Sequence, residues 1–290
     1  MVCPNRIGSD ARWDCLAFHP ELLYVREEGR GRIMSQEYLF DYGVVFILGT
    51  LLGSFANVCV YRLPQRLSII FPGSHCPCCQ EALRPWHNVP LLSYVLLGGQ
   101  CATCKTAISP RYPLLELSNG LLYVWLYHHY HFSVQGIVYA LLATTLLVVS
   151  CIDLIHTIIP DAITLPGIVV GLGTSLWLTP VGVGNAVLGV LVGGGLFLLM
   201  AMLSVLILQR EGMGGGDIKL IAMLGAFLGW KAVLVTIFLG AVLGALVGIV
   251  LMLLRRQGRQ EPVPFGPFLA IGALLTIVWG DRLLTWYVSR

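Results

Sequence analysis

Between Gly43 and Gly280 the chain carries only seven carboxylate side chains, Glu81, Glu116, Asp153, Asp161, Glu211, Asp217 and Glu261. Charged residues make up 11% of its 290 positions, against about 25% in an ordinary soluble domain. Hydrophobic residues reach 57%. So little charge excludes a freely solvated globular domain and makes the bilayer the expected surrounding. The net charge of +3 is too small to imply a nucleic-acid partner. Other signatures are missing as well. No Lys-Ser or Lys-Thr follows the glycine run at 212–216, so it is not a phosphate loop. Gly-x-Gly-x-x-Gly is absent, and the histidines show no paired metal-ligand spacing. Residues 1–33 are polar, of mixed charge and without the apolar core of a signal peptide. They read equally as a polar arm or as an over-extended start ahead of Met34.

What the chain has in abundance is apolar length. A helix needs about 20 apolar residues to cross the hydrocarbon core, and the candidates fall near 42–61, 114–130, 135–152, 162–179, 185–208, 218–229, 231–254 and 265–284. The expected fold is an all-α polytopic membrane protein of about eight transmembrane helices. Its divisions are a polar extension at 1–41, a first helix at 42–61, an insert at 62–113 and a membrane-embedded domain at 114–290. The segment 218–229 is the weak crossing: at 1.5 Å per residue it spans about 18 Å, so it must tilt, re-enter or be covered by protein. Counting it as a span places Arg62, Arg66, Arg84, Lys105, Arg111, Arg210, Arg255, Arg256 and Arg259 on one side, which the positive-inside rule makes cytoplasmic. Both termini then lie outside.

The insert holds six prolines between Pro64 and Pro110 and two Cys-x-x-Cys pairs, Cys76 with Cys79 and Cys101 with Cys104. Two such knuckles place four thiolates around a tetrahedral Zn²⁺, and a closed four-thiolate site is structural. A zinc-ribbon-like insert fits this pattern better than disulfides or redox chemistry. Cys78 is the surplus thiol, able to replace Cys76 or Cys79 but not matching the spacing of the second knuckle.

The lone carboxylates Asp153 and Asp217 stand at the ends of apolar segments, where a charge is costly and functional by default. Brought within hydrogen-bonding distance, two carboxylates divide into one base and one acid, as an aspartyl protease requires. No covalent nucleophile is then needed. For Asp217 a helix cap is the competing structural reading. Asp161, after Pro160, reads first as a cap for a helix from Ala162. Glu116 stands near Arg111 and is a loose candidate for pairing with it or for attracting a basic substrate segment.

Several stretches together resemble the type IV prepilin peptidases, bifunctional membrane enzymes of bacterial pilus assembly and type II secretion. They include Gly53-Ser54-Phe55-Ala56-Asn57-Val58, Tyr61-Arg62-Leu63-Pro64, both cysteine knuckles, Asn88-Val89-Pro90-Leu91-Leu92-Ser93-Tyr94 and Ser109 through Glu116. Ile152-Asp153-Leu154, Ile159-Pro160-Asp161, Gly212 through Leu220 and Pro264-Phe265-Gly266-Pro267 come next, in the family's order. The resemblance implies cytoplasmic-side cleavage of the basic leader of prepilins and pseudopilins, followed by N-methylation from S-adenosylmethionine, in the bacterial inner membrane. It places catalysis on Asp153 and Asp217, leaves Asp161 without a firm role, and associates methylation with the cysteine insert without locating the donor. Where many members carry an acid two positions after the first aspartate this chain has Ile155, and where a basic residue commonly precedes the second knuckle it has Gln100. Composition alone also admits a proton-coupled transporter, or a methyltransferase or zinc-ribbon adaptor with structural aspartates.

Overall fold

The computed structural model describes residues 30–209, 214–254 and 264–288, with side chains omitted at 30–38 and at a few positions beyond. The segment 1–29, Arg210, Glu211, Gly212, Met213, Arg255, Arg256, Arg259 and Glu261 lie outside the described residues. The chain divides into two compact units, Met1–Gly43 and Val44–Arg290, and the second contains the cysteine insert and both aspartates.

Long apolar runs free of alternating polarity give helices, and among the described residues there is no β-strand. The helices are α1 (Arg30–Arg62), α2 (Leu92–Leu96), α3 (Arg111–Tyr130), α4 (Val134–His156), α5 (Asp161–Trp177), α6 (Val183–Leu208), α7 (Gly215–Leu254) and α8 (Gly266–Val288). Helix α1 therefore starts well before position 42. Among the described residues four helices are long and apolar enough to cross a membrane: Leu39–Arg62, Val134–His156, Val183–Ile207 and Gly215–Leu254. The apolar stretches Asp161–Leu176 and Gly266–Gly280 are shorter. Helix α3 falls outside this set because Glu116, Ser118, Asn119, His128 and His129 interrupt its apolar surface. Among the described residues length and composition thus support four spans and do not establish the eight expected crossings.

One of those four is two helices. Gly229 adopts φ 80°, ψ 171°, a conformation essentially reserved for glycine, and breaks α7. The neighbours show that the chain doubles back there. A side chain at Gly193 of α6 would meet both Ile221, before the break, and Val233, after it. Further along, Gly240 lies against Leu269 and Gly244 against Phe268 of α8, so the second arm returns to the end from which the first set out. The short first arm is covered by protein, as its length requires: Leu220, Ile221, Met223, Leu224 and Ala226 are fully buried. Gly189 of α6 and Gly225 of α7 face each other backbone to backbone, the close approach that small residues allow.

The front of the bundle is joined by polar contacts. Gly49 and Gly53 of α1 pack directly on Gly120 and Glu116 of α3. Fully buried Asn119 donates to the Gly49 carbonyl at 2.7 Å and accepts from Thr144 of α4 at 3.0 Å. Ala56, Cys59, Leu115, Val148 and Ile152 form one apolar cluster across α1, α3 and α4. That cluster puts the end of α1, the start of α3 and the end of α4 at the same level, beside the insert.

Candidate active site

Helix α4 carries Asp153 in its last turn and ends in Thr157, which takes a left-handed conformation and donates its N–H to the Asp153 carbonyl. The Asp153 side chain is buried, with 5% of its surface exposed. Its Oδ2 accepts a 2.9 Å hydrogen bond from the backbone N–H of Gly266, the first residue of α8. The carboxylate therefore occupies an anion position at a helix N-terminus. A Cβ at Gly266 would stand 2.6 Å from that oxygen, so any side chain there pushes the carboxylate off the amide. Gly266 appeared in the sequence only within a motif. A backbone donor carries no residue-type signal of its own.

Asp217 lies in the first turn of α7, half-buried, with its own N–H bonded to the Gly214 carbonyl. Asp153 lies near enough for its charge to bear on the Asp217 carboxyl. Two close approaches set this register. Gly216 presses on Ile159 in the turn between α4 and α5, where an added Cβ would come within 2.8 Å of the Ile159 Cβ. Lys219 Nζ reaches both carboxylate oxygens of Asp161, at 2.7 and 2.8 Å. Asp161 is thus not a side-chain cap: α5 begins at Asp161 itself, Pro160 holds the cap position, and the carboxylate is taken by Lys219. Lys219 was not singled out by the sequence, although it lies two residues beyond Asp217.

Glu116 does not pair with Arg111. Among the described residues the one salt bridge is Lys219 with Asp161. Glu116 is buried, accepts the N–H of Leu91 at 2.8 Å and packs against Gly53 of α1. It ties the insert to α1 and α3.

In the insert, Cys76, Cys79, Cys101 and Cys104 bring their sulfurs within 4.8 Å of one another. The two knuckles repeat one backbone pattern. Gln80 N–H bonds to the Cys76 carbonyl and Lys105 N–H to the Cys101 carbonyl, with both donors at positive φ. The Sγ atoms of Cys76 and Cys104 are 3.8 Å apart, close to the edge of a tetrahedron with bonds of about 2.3 Å. These four residues fit a structural metal. The Cys104 thiol donates to the Thr106 hydroxyl at 3.3 Å, which fixes its position within the cluster. Cys78 is exposed and outside the cluster.

An open cleft of about 240 Å³ lies between α1 and the start of the insert, with Ser54, Phe55, Arg62, Pro72 and Asn88 among its walls. Both Nη atoms of Arg62 are engaged by backbone carbonyls of Ser68, Pro72 and Gly73. Its residues do not define an S-adenosylmethionine site.

Two family models match in chain order: the bacterial peptidase A24 N-terminal domain over residues 47–130 and the type IV leader peptidase family over 140–249. A prepilin leader peptidase/N-methyltransferase of Pseudomonas aeruginosa is 36% identical over 281 residues, covering 87% of this chain and 97% of the relative. The chain belongs to the type IV leader peptidase family. A protein of the same name from Pseudomonas putida is 39% identical over 272 residues, 86% of this chain and 94% of the relative. Another from Burkholderia pseudomallei is 38% identical over 259 residues, 81% and 84%. No solved structure matches. The first model spans α1, the insert and α3, while the second begins within α4 and takes in both aspartates.

Proposed function

We propose that this protein is a multi-pass membrane enzyme that removes the basic leader of type IV prepilins and type II secretion pseudopilins and N-methylates the newly exposed residue. What supports the peptidase half is the placement of Asp153 and Asp217, 64 positions apart in the numbering, at helix ends near enough for the charge of Asp153 to bear on Asp217. In this reading the ionised member of the pair takes a proton from a water as it attacks the scissile carbonyl. The protonated member donates to the carbonyl oxygen, and the roles exchange as the amine leaves. The Gly266 amide holds Asp153 in place, and Lys219 with Asp161 holds the first turn of α7 against the start of α5.

The alternation of α1, α3, α4, α5, α6, the two arms of α7 and α8 supports eight passes. Pairing with neighbours offsets the shortness of α5 and α8. The basic residues of the insert support a cytoplasmic site in the bacterial inner membrane. The cysteine cluster supports a structural Zn²⁺ that holds together an insert with little core. S-adenosylmethionine is the methyl donor in this reading.

The test is cleavage of a model prepilin in liposomes in H₂¹⁸O. Hydrolysis by the pair puts one ¹⁸O into the new carboxyl end of the leader in a single turnover, with no acyl-enzyme, and Asp217→Asn stops cleavage while methylation of a pre-cleaved substrate persists. Cleavage surviving in that variant, or a trapped covalent intermediate, overturns the assignment.

A further inference from the structure

The segment Leu67-Ser68-Ile69-Ile70-Phe71-Pro72-Gly73 opens what reads in the sequence as a polar cytoplasmic insert, yet it is itself largely apolar. Its placement is not that of a cytoplasmic loop. Ile69 packs on the cluster of Ala56, Cys59, Leu115, Val148 and Ile152, so the chain leaves α1 at Arg62 and turns back along it. The cleft between this segment and α1 has Leu51 and Phe55 on its helix side. Leu51 lies eleven residues before Arg62, about 16 Å down the helix axis at 1.5 Å per residue. That part of α1 belongs to the apolar span Leu39–Arg62.

Irregular backbone at such a depth needs its polar groups satisfied by protein. Arg62, itself buried, does this: Nη1 bonds the Ser68 carbonyl at 2.9 Å and Nη2 the Pro72 carbonyl at 2.7 Å. The Ser68 hydroxyl accepts from the N–H groups of Ile70 and Phe71. With its backbone tied inward, the loop turns its largest side chains outward. Ile70 is 71% exposed and Phe71 76%.

We propose that residues 67–73 form a re-entrant loop whose Ile70 and Phe71 insert among the lipid acyl chains of the leaflet that α1 leaves at Arg62. The occupant of this face is lipid because the face continues the lipid-exposed surface of α1, and because of its charge. No acid occurs from Arg62 to Gln80, while Arg62 and Arg66 are present, which suits an anionic leaflet. Trp86 stands two residues from Asn88 in the wall of the same cleft, exposed and under the Arg84 guanidinium at 5.7 Å, the aromatic-and-cation pairing found at membrane surfaces. The insert is then held on the membrane beside the last turn of α4, which carries Asp153, and does not swing free on its two connections.

This inference rests on the reading of α1 as a membrane span, and the experiment separates the two. Trifluoromethyl-phenylalanine is placed at Phe71, at Phe55 on α1 and at His75 in the insert of the full-length protein in phosphatidylglycerol-containing vesicles. The ¹⁹F relaxation of each label is measured with doxyl-labelled lipid and with an aqueous gadolinium chelate. The expected result is that Phe71 responds to the lipid-borne probe as strongly as Phe55 does, while His75 responds to the aqueous one. An aqueous response at Phe71 with a lipid response at Phe55 overturns the re-entrant loop alone, as does a Phe71 that neither probe reaches, which would mean that protein covers it. An aqueous response at Phe55 overturns the span itself. A label at Ile70 repeats the test should the Phe71 label disturb folding.

Discussion

The cysteine cluster and the aspartate pair are built in opposite ways. The cluster draws all its sulfurs from residues 76–104 and repeats one local turn twice, so two short pieces of sequence hold both its chemistry and its geometry. The aspartate pair has no local geometry. Asp153 comes from the end of α4, its amide partner from the start of α8, Asp217 from the start of α7, and the turn that Gly216 presses on from between α4 and α5. A site assembled from separate helix ends depends on the packing of the whole bundle. A site made of knuckles depends mainly on its metal. Substitutions that damage one site should therefore leave the other largely intact.

The sharpest break in the comparison comes from Asp217→Asn. It is expected to cut prepilin cleavage by roughly 10²–10⁴-fold or more, with one zinc per chain retained by elemental analysis. The converse is Cys101→Ser, which should lose the zinc and open the insert to limited proteolysis while cleavage stays within a few-fold of normal. A Cys101→Ser enzyme that is dead toward cleavage yet fully folded would erase the distinction between the two regions. Smaller is the effect of Gly266→Ala, where the added methyl displaces the Asp153 carboxylate from its amide. Loss of a charged hydrogen bond of about 1.5–3 kcal/mol corresponds to a fall in kcat of roughly 10- to 150-fold, with KM for the prepilin little changed. An unaltered kcat would show that the amide does not position Asp153.

Least affected should be the Lys219–Asp161 variants, because both side chains are more than a third exposed. An exposed pair contributes about 0–1 kcal/mol, so Asp161→Asn and Lys219→Gln should each slow cleavage by no more than about fivefold. The double variant should be no worse than either single one, since both remove the same contact. Multiplying losses would mean that one of the two has a separate role.

What could be read from the sequence divides along the same line. Cysteine spacing and the scarcity of carboxylates named Cys76, Cys79, Cys101, Cys104, Asp153 and Asp217 without coordinates, because residue type and local spacing carried the signal. The shortness of 218–229 called for tilt, re-entry or cover by protein; the fold buries the segment, and Gly229 supplies the reversal that follows it. Glu116 stood as a loose candidate for pairing with Arg111 or for attracting a basic segment because charge was the only visible clue, and the pairing is not what the fold makes of it. Its helix face meets α1 and the insert, and it accepts the Leu91 N–H. Gly266 could not be ranked above any other glycine, since its contribution is an N–H donated across 113 residues. Residues 114–130 read as a span from their apolar run, yet α3 is not among the helices apolar enough to cross by themselves, and its Asn119 and Glu116 are satisfied by neighbouring elements.

The measurement that tests the pairing most directly is a double-mutant cycle on cleavage rate, using Asp153→Asn, Asp217→Asn and the doubly substituted enzyme in liposomes. Residues that act as one catalytic unit lose nearly everything with the first substitution, so the double variant is expected to cleave no more slowly than the worse single one. Losses that multiply would show two carboxylates working independently and would contradict a shared site.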